Sequence, residues 1–123
     1  MNKADKLRVR DYLGHMLEAI QRITGYTEDM TEAVFLTDSK TQDAVIRNLE
    51  IIGEAARNVE RLHSGYAAQH SEVPWSDIYL MRNRVAHGYF SVDLELVWKT
   101  IQNDLPLLEE QVRTLLKEFE EGV

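Results

Sequence analysis

The chain has 123 residues, a formal charge of −7, 44% hydrophobic residues, 28% charged residues and no cysteine. That length and mix describe one globular domain, spanning residues 1–123, and argue against an intrinsically disordered chain. Without cysteine there is no disulfide, no zinc–thiolate site and no thiol nucleophile, and the acidic balance weighs against a long electrostatic track for nucleic acid.

The apolar residues recur at helical spacing nearly throughout, and no stretch alternates with period two long enough for a convincing strand. The first helix is expected from about Ala4 to Ile23, with Leu7, Leu13, Met16, Leu17, Ile20 and Ile23 inward and Gly25 just past its end. A short helix or turn follows between Thr27 and Leu36, touching the core through Met30, Val34 and Phe35. Ser39-Lys40-Thr41-Gln42 has the form of a capping box, with Ser39 as the cap. It opens a long helix to about His63, whose inner face is Val45, Leu49, Ile52, Ala56 and Val59. Gly53, near Ala55 and Ala56, marks a place where another backbone can come close.

From His63 to Glu72 the chain is polar and is expected to fray. Pro74 stands at the start of a further helix that runs to about His87, with Ile78, Met81 and Val85 inward and Gly88 as its stop. Ser91 is expected to cap the last long helix, which carries Leu94, Val97, Trp98, Ile101, Leu105, Leu108, Val112, Leu115 and Phe119. Pro106 should kink it, because proline lacks a backbone donor and crowds the preceding turn. The sum is an all-α, up-down bundle of about four main helices, with apolar stripes wide enough to face a second copy. Trp75 and Trp98 read as packing residues, and His15, His63 and His70 as surface or loop residues without metal-ligand spacing.

The charge is uneven along the chain. Five arginines between Ala44 and Phe90 are balanced by five carboxylates, so the flanking segments carry the whole negative excess. A local site for a polyanion is therefore open in the middle of the chain. No apolar leader precedes the first helix and no apolar run reaches bilayer length, so a cytoplasmic protein without membrane association is expected.

Arg82-Asn83-Arg84-Val85-Ala86-His87-Gly88-Tyr89 concentrates the chemistry. Arg82 and Arg84 are permanent cations with planar forks suited to phosphate. His87 has the one side chain of this segment that exchanges protons near neutrality. Asn83 both donates and accepts, and Tyr89 offers a hydroxyl. RNA cleavage by its own 2′-hydroxyl needs such groups: a proton acceptor, a proton donor for the leaving 5′ oxygen, and cations around the phosphorane. On an ideal helix Arg82 and His87 are ~140° apart. For them to act together the helix must loosen before His87, or a partner must supply a second wall. A structural reading stands beside this one, since basic residues and histidine are favoured at any helix C-terminus.

The segment also fits the pattern Arg-x4-His-x-Tyr, filled by Arg82, His87 and Tyr89. With Val73-Pro74-Trp75 and Ile78 before it, Phe90 to Trp98 after it, and Ile51-Ile52-Gly53-Glu54-Ala55-Ala56 earlier, it resembles HEPN-domain ribonuclease toxins of the HepT type over nearly the whole chain. The resemblance implies a helical homodimer with both motifs in one cleft, and metal-independent endoribonuclease activity with no cofactor. It implies a toxin–antitoxin partner, an MNT-type minimal nucleotidyltransferase that neutralises the toxin by AMPylation of the motif tyrosine, here Tyr89. Arg82 and His87 are then the catalytic pair, Asn83, Arg84 and Tyr89 contact the RNA substrate, and no metal is required. The competing reading is a module that binds RNA or a nucleotide without cutting, or serves as the regulatory partner of the nucleotidyltransferase.

Overall fold

The structure, a computed structural model, describes residues 1–87 and 91–121, with side chains described for 1–81 and 92–121. Helix α1 (Lys3–Thr27) is followed by α2 (Glu32–Phe35), α3 (Ser39–Leu62), α4 (Ser64–Gln69) and α5 (Trp75–Val85). Two very short strands, β1 (Ala86–His87) and β2 (Ser91–Val92), lead to α6 (Leu94–Lys99), a π-helical turn (Thr100–Asp104) and α7 (Leu105–Glu121). The fold is all-α and HEPN-like, with the β1–β2 ladder as its one non-helical pairing among the described residues.

Helix α3 sits at the centre. It packs against α1 on one side and α5 on another, while α7 lies along α1. Val45, Leu49, Ile52, Ala56 and Val59 recur at three- and four-residue spacing and are all buried, as their periodicity predicts. From α1 they meet Leu13, Met16, Ile20 and Ile23, and Val97, Ile101, Leu105, Leu108, Val112 and Leu115 complete the core. Phe35 closes one end, with its ring centroid 5.4 Å from that of Trp98. Trp75 is buried as well, so both tryptophans are packing residues.

Several boundaries differ from the sequence reading, each for a local reason. Gly25 does not end α1: the helix runs on to Thr27, where the buried Thr27 hydroxyl donates to the Ile23 carbonyl at 2.8 Å. Leu7 is 47% exposed, and Val9 takes its place in the inner stripe of α1. Val34 is likewise exposed beside the buried Phe35. Helix α3 is capped by Asp38, not Ser39: Asp38 Oδ1 accepts from the Thr41 amide at 3.0 Å. Gln42 turns instead to the Phe35 carbonyl, donating at 2.8 Å.

The polar stretch after His63 contains a short helix, α4, held by the buried Tyr66 and Ala67. Tyr66 stacks on His70 with centroids 4.4 Å apart. Helix α6 is capped by Asp93, whose Oδ1 accepts from the Leu96 amide at 3.0 Å, while Ser91 belongs to β2. The disturbance expected from Pro106 takes the form of the π-helical turn immediately before it. A widened turn accommodates a residue that has no backbone donor.

Candidate active site

Helix α5 is the platform of the motif, and α3 fixes its position. Gly53 gives a close approach: a Cβ there would stand 3.5 Å from the Ile78 carbonyl oxygen and 3.6 Å from Tyr79 Cα. This is the close contact that the small residues around Gly53 predict. One turn further along α3, Arg57 Nη1 donates to the Tyr79 hydroxyl at 2.9 Å. The guanidinium carbon lies 4.7 Å from the centroid of the same ring. A turn beyond that, the Ser76 hydroxyl donates to Glu60 Oε2. At the start of α5, Trp75 Nε1 donates to the His70 carbonyl at 3.1 Å.

Glu60 with Ser76 and Arg57 with Tyr79 show that α3 and α5 run antiparallel. The C-terminal end of α5 therefore points toward the N-terminal half of α3. Sequence reasoning missed the Arg57–Tyr79 pair. The signal available was the placement of Arg57 one turn after the small-residue patch.

The motif begins on the last turn of α5, which holds Arg82, Asn83 and Arg84. Cations at that end are favoured by the helix dipole. The helix then stops at Val85, and Ala86 and His87 are extended. They pair antiparallel with β2, Ala86 opposite Val92 and His87 opposite Ser91. This is the loosening before His87 that a joint action of Arg82 and His87 requires: His87 is not on the helix, so the ~140° separation of an ideal helix no longer applies. Tyr89, the modification candidate, and Gly88, the expected stop, lie outside the described residues. Directly after β2, Asp93 starts α6, so the chain returns to helix within two residues.

Glu54, close to Gly53 in sequence, is exposed on α3. His15 is exposed, whereas His63 and His70 are half-buried beside α4. Among the described residues no group of three or more His, Asp or Glu side chains is placed to hold a metal ion. No helix among them is long and apolar enough to cross a membrane.

The sequence is similar to that of known proteins. The family described as ribonuclease HepT-like matches residues 16–115, a span that holds α3, α5 and the whole motif. A probable ribonuclease HepT of Thermococcus cleftensis is 42% identical over 108 residues, covering 88% of this chain and 96% of that protein. A Methanocaldococcus jannaschii protein, whose name couples a gamma-glutamylcyclotransferase with an RNase, is 40% identical over 114 residues. The chain covers 93% of its own length in that match but only 50% of the archaeal protein. A Caldanaerobacter subterraneus protein with an RNase designation is 35% identical over 108 residues, covering 88% of this chain and 94% of that protein. No solved structure matches the chain.

The helical bundle is HEPN-like, and the family that matches it is one of ribonucleases. The chain belongs to the HepT-like ribonuclease family.

Proposed function

We propose that this protein is a metal-independent endoribonuclease toxin of a toxin–antitoxin pair, acting in the cytoplasm as a homodimer whose two motifs line one cleft. The observation that carries the reading is the end of α5 at Val85, with Ala86 and His87 extended, which releases His87 from helical register with Arg82. The family membership supports the substrate class.

In the proposed reaction the ribose 2′-oxygen attacks the adjacent phosphorus. The 2′-hydroxyl gives up its proton, the new 2′-O–P bond forms, the 5′-O–P bond breaks, and the departing 5′-oxygen takes up a proton. His87 serves as general base or acid in these transfers. Arg82 holds the scissile phosphate and offsets the charge that builds on it, and Asn83 and Arg84 orient the strand. The motif thus supplies acid–base chemistry and positive charge from side chains alone. Tyr89 contacts RNA when free. When an MNT-type nucleotidyltransferase transfers AMP from ATP to its hydroxyl, which loses its proton as pyrophosphate leaves, the added bulk and negative charge close the cleft to a polyanion.

The test is cleavage of RNA by purified protein in the presence of EDTA. Products ending in a 2′,3′-cyclic phosphate are expected, with the rate lost in Arg82→Ala and in His87→Ala. Equal rates for wild type and both variants would overturn the assignment. Binding without products would instead identify a non-catalytic RNA-binding partner of the nucleotidyltransferase.

A further inference from the structure

Away from the motif itself, the bundle holds a cleft of about 320 Å³ between α5 and the junction of the π-helical turn with α7. Its floor is apolar: Ile78 and Met81 from α5, Leu105 and Leu108 from α7. Three carboxylates stand around it, Glu72, Asp77 and Asp104. Among the described residues that line it there is no lysine, arginine or histidine.

Glu72 is also 3.3 Å from His70 Nδ1, and Asp77 has a partner within the chain, so Asp104 is the least engaged of the three. The π-helical turn ends at Asp104 and presents it, with Asn103, on the cleft's edge. Leu107 lines the cleft and is 59% exposed, unusual for a leucine beside an apolar floor. One end is closed by Gln111, whose Nε2 donates to the Glu72 carbonyl at 2.8 Å.

We infer that this cleft is a docking site for a cationic, amphipathic segment of a protein partner, seated with an apolar side chain on the Ile78–Met81–Leu105–Leu108 floor and a lysine or arginine toward Asp104. Charge selects the occupant. A polyphosphate chain is repelled by three carboxylates with no described cation among them, and a basic peptide is attracted by the same field. The volume suits one or two side chains, as in the pockets that anchor helical peptides. Met81 directly precedes Arg82, so an occupant bears on the helix that carries the motif. The inference does not depend on RNA cleavage and can fail or hold separately from it.

The probe is a fluorescent amphipathic helical peptide of about 14 residues, leucines on one face and lysines on the other. Its binding to the full chain is read by anisotropy near physiological ionic strength, about 0.15 M. Asp104→Lys and Leu107→Ser, both at exposed positions, are expected to weaken binding about tenfold each. Glu120→Lys, which makes the same charge change at the exposed far end of α7, is expected to change it by less than about twofold. Equal losses for Asp104→Lys and Glu120→Lys would mean undirected attraction to an acidic chain and would overturn the proposal. So would absence of binding to wild type, or displacement of the peptide by a single-stranded RNA oligonucleotide, which would make the cleft a nucleic-acid subsite.

Discussion

Arg57 on α3 and Tyr79 on α5 are joined twice: the guanidinium donates to the phenol oxygen at 2.9 Å and lies 4.7 Å from the ring centroid. The pair ties α5 to α3 one turn before the motif begins. Arg57→Ala is expected to cost about 1–2 kcal/mol, combining one partly buried hydrogen bond with a cation–π contact. Chemical denaturation measures the loss. Hydrogen exchange should show faster opening of α5 amides than of α1 amides.

The approach of Gly53 to α5 makes an asymmetric prediction. A methyl group fits, because the nearest atoms would be at ordinary contact distance. Gly53→Ala should therefore be neutral or stabilise the helix by up to about 1 kcal/mol. Gly53→Leu has no room beside the Ile78 and Tyr79 backbone and should destabilise by about 1–3 kcal/mol through overpacking. Thermal unfolding of the two variants gives opposite or unequal shifts if this contact is as close as described.

Tyr66 is buried, and its hydroxyl has no hydrogen-bond partner. Burial, reinforced by Glu118 and then Glu72, pushes its pKa well above the ordinary phenol value. Folding therefore favours the protonated phenol. The stability tied to that proton is full below the ordinary phenol range and is lost as the pH rises toward the folded value. Tyr66→Phe removes both the unpaired hydroxyl and the titration. It is expected to be neutral or stabilising at neutral pH, by up to about 1–3 kcal/mol, and to flatten the stability profile above about pH 10. A clear loss of stability at neutral pH would show that the hydroxyl has a partner.

At the N-terminus of α3, Asp38 accepts from the Thr41 amide and from the Thr41 hydroxyl. These bonds hold its carboxyl below the ordinary aspartate value. Its contribution is present above that ordinary value and is lost as the pH falls through the folded one. Asp38→Asn keeps an acceptor for the amide and should leave neutral-pH stability nearly unchanged while reducing the acid-side slope. Stability measured by denaturant melts between about pH 3 and 7 checks it.

At the motif, His87→Ala and Arg82→Ala should each lower RNA cleavage by about 100-fold or more, the scale for a lost proton-transfer group or a lost charge clamp. Both should retain the helical circular dichroism of wild type. Ser91→Ala, at the position paired with His87 in the β1–β2 ladder, should have little effect on folding, since Asp93 and not Ser91 caps α6.

The helical periodicity of the apolar residues determined, by itself, that the protein is a helical bundle, that Val45, Leu49, Ile52, Ala56 and Val59 face inward, and that Gly53 meets another backbone. These are consequences of 3.6-residue spacing and side-chain size, which are local properties. The motif was legible too, because Arg82, Asn83, Arg84 and His87 fall within six consecutive residues. Helix ends were less legible. Asp38 and Ser39, or Ser91 and Asp93, are all competent caps, and the choice depends on where neighbouring helices pull the chain. Tertiary structure alone decided that α5 stops at Val85, that Arg57 reaches Tyr79, and that Asp104 and Met81 line one cleft. Those relationships join residues far apart in sequence, and only the packing of α3, α5 and α7 around one core brings them together.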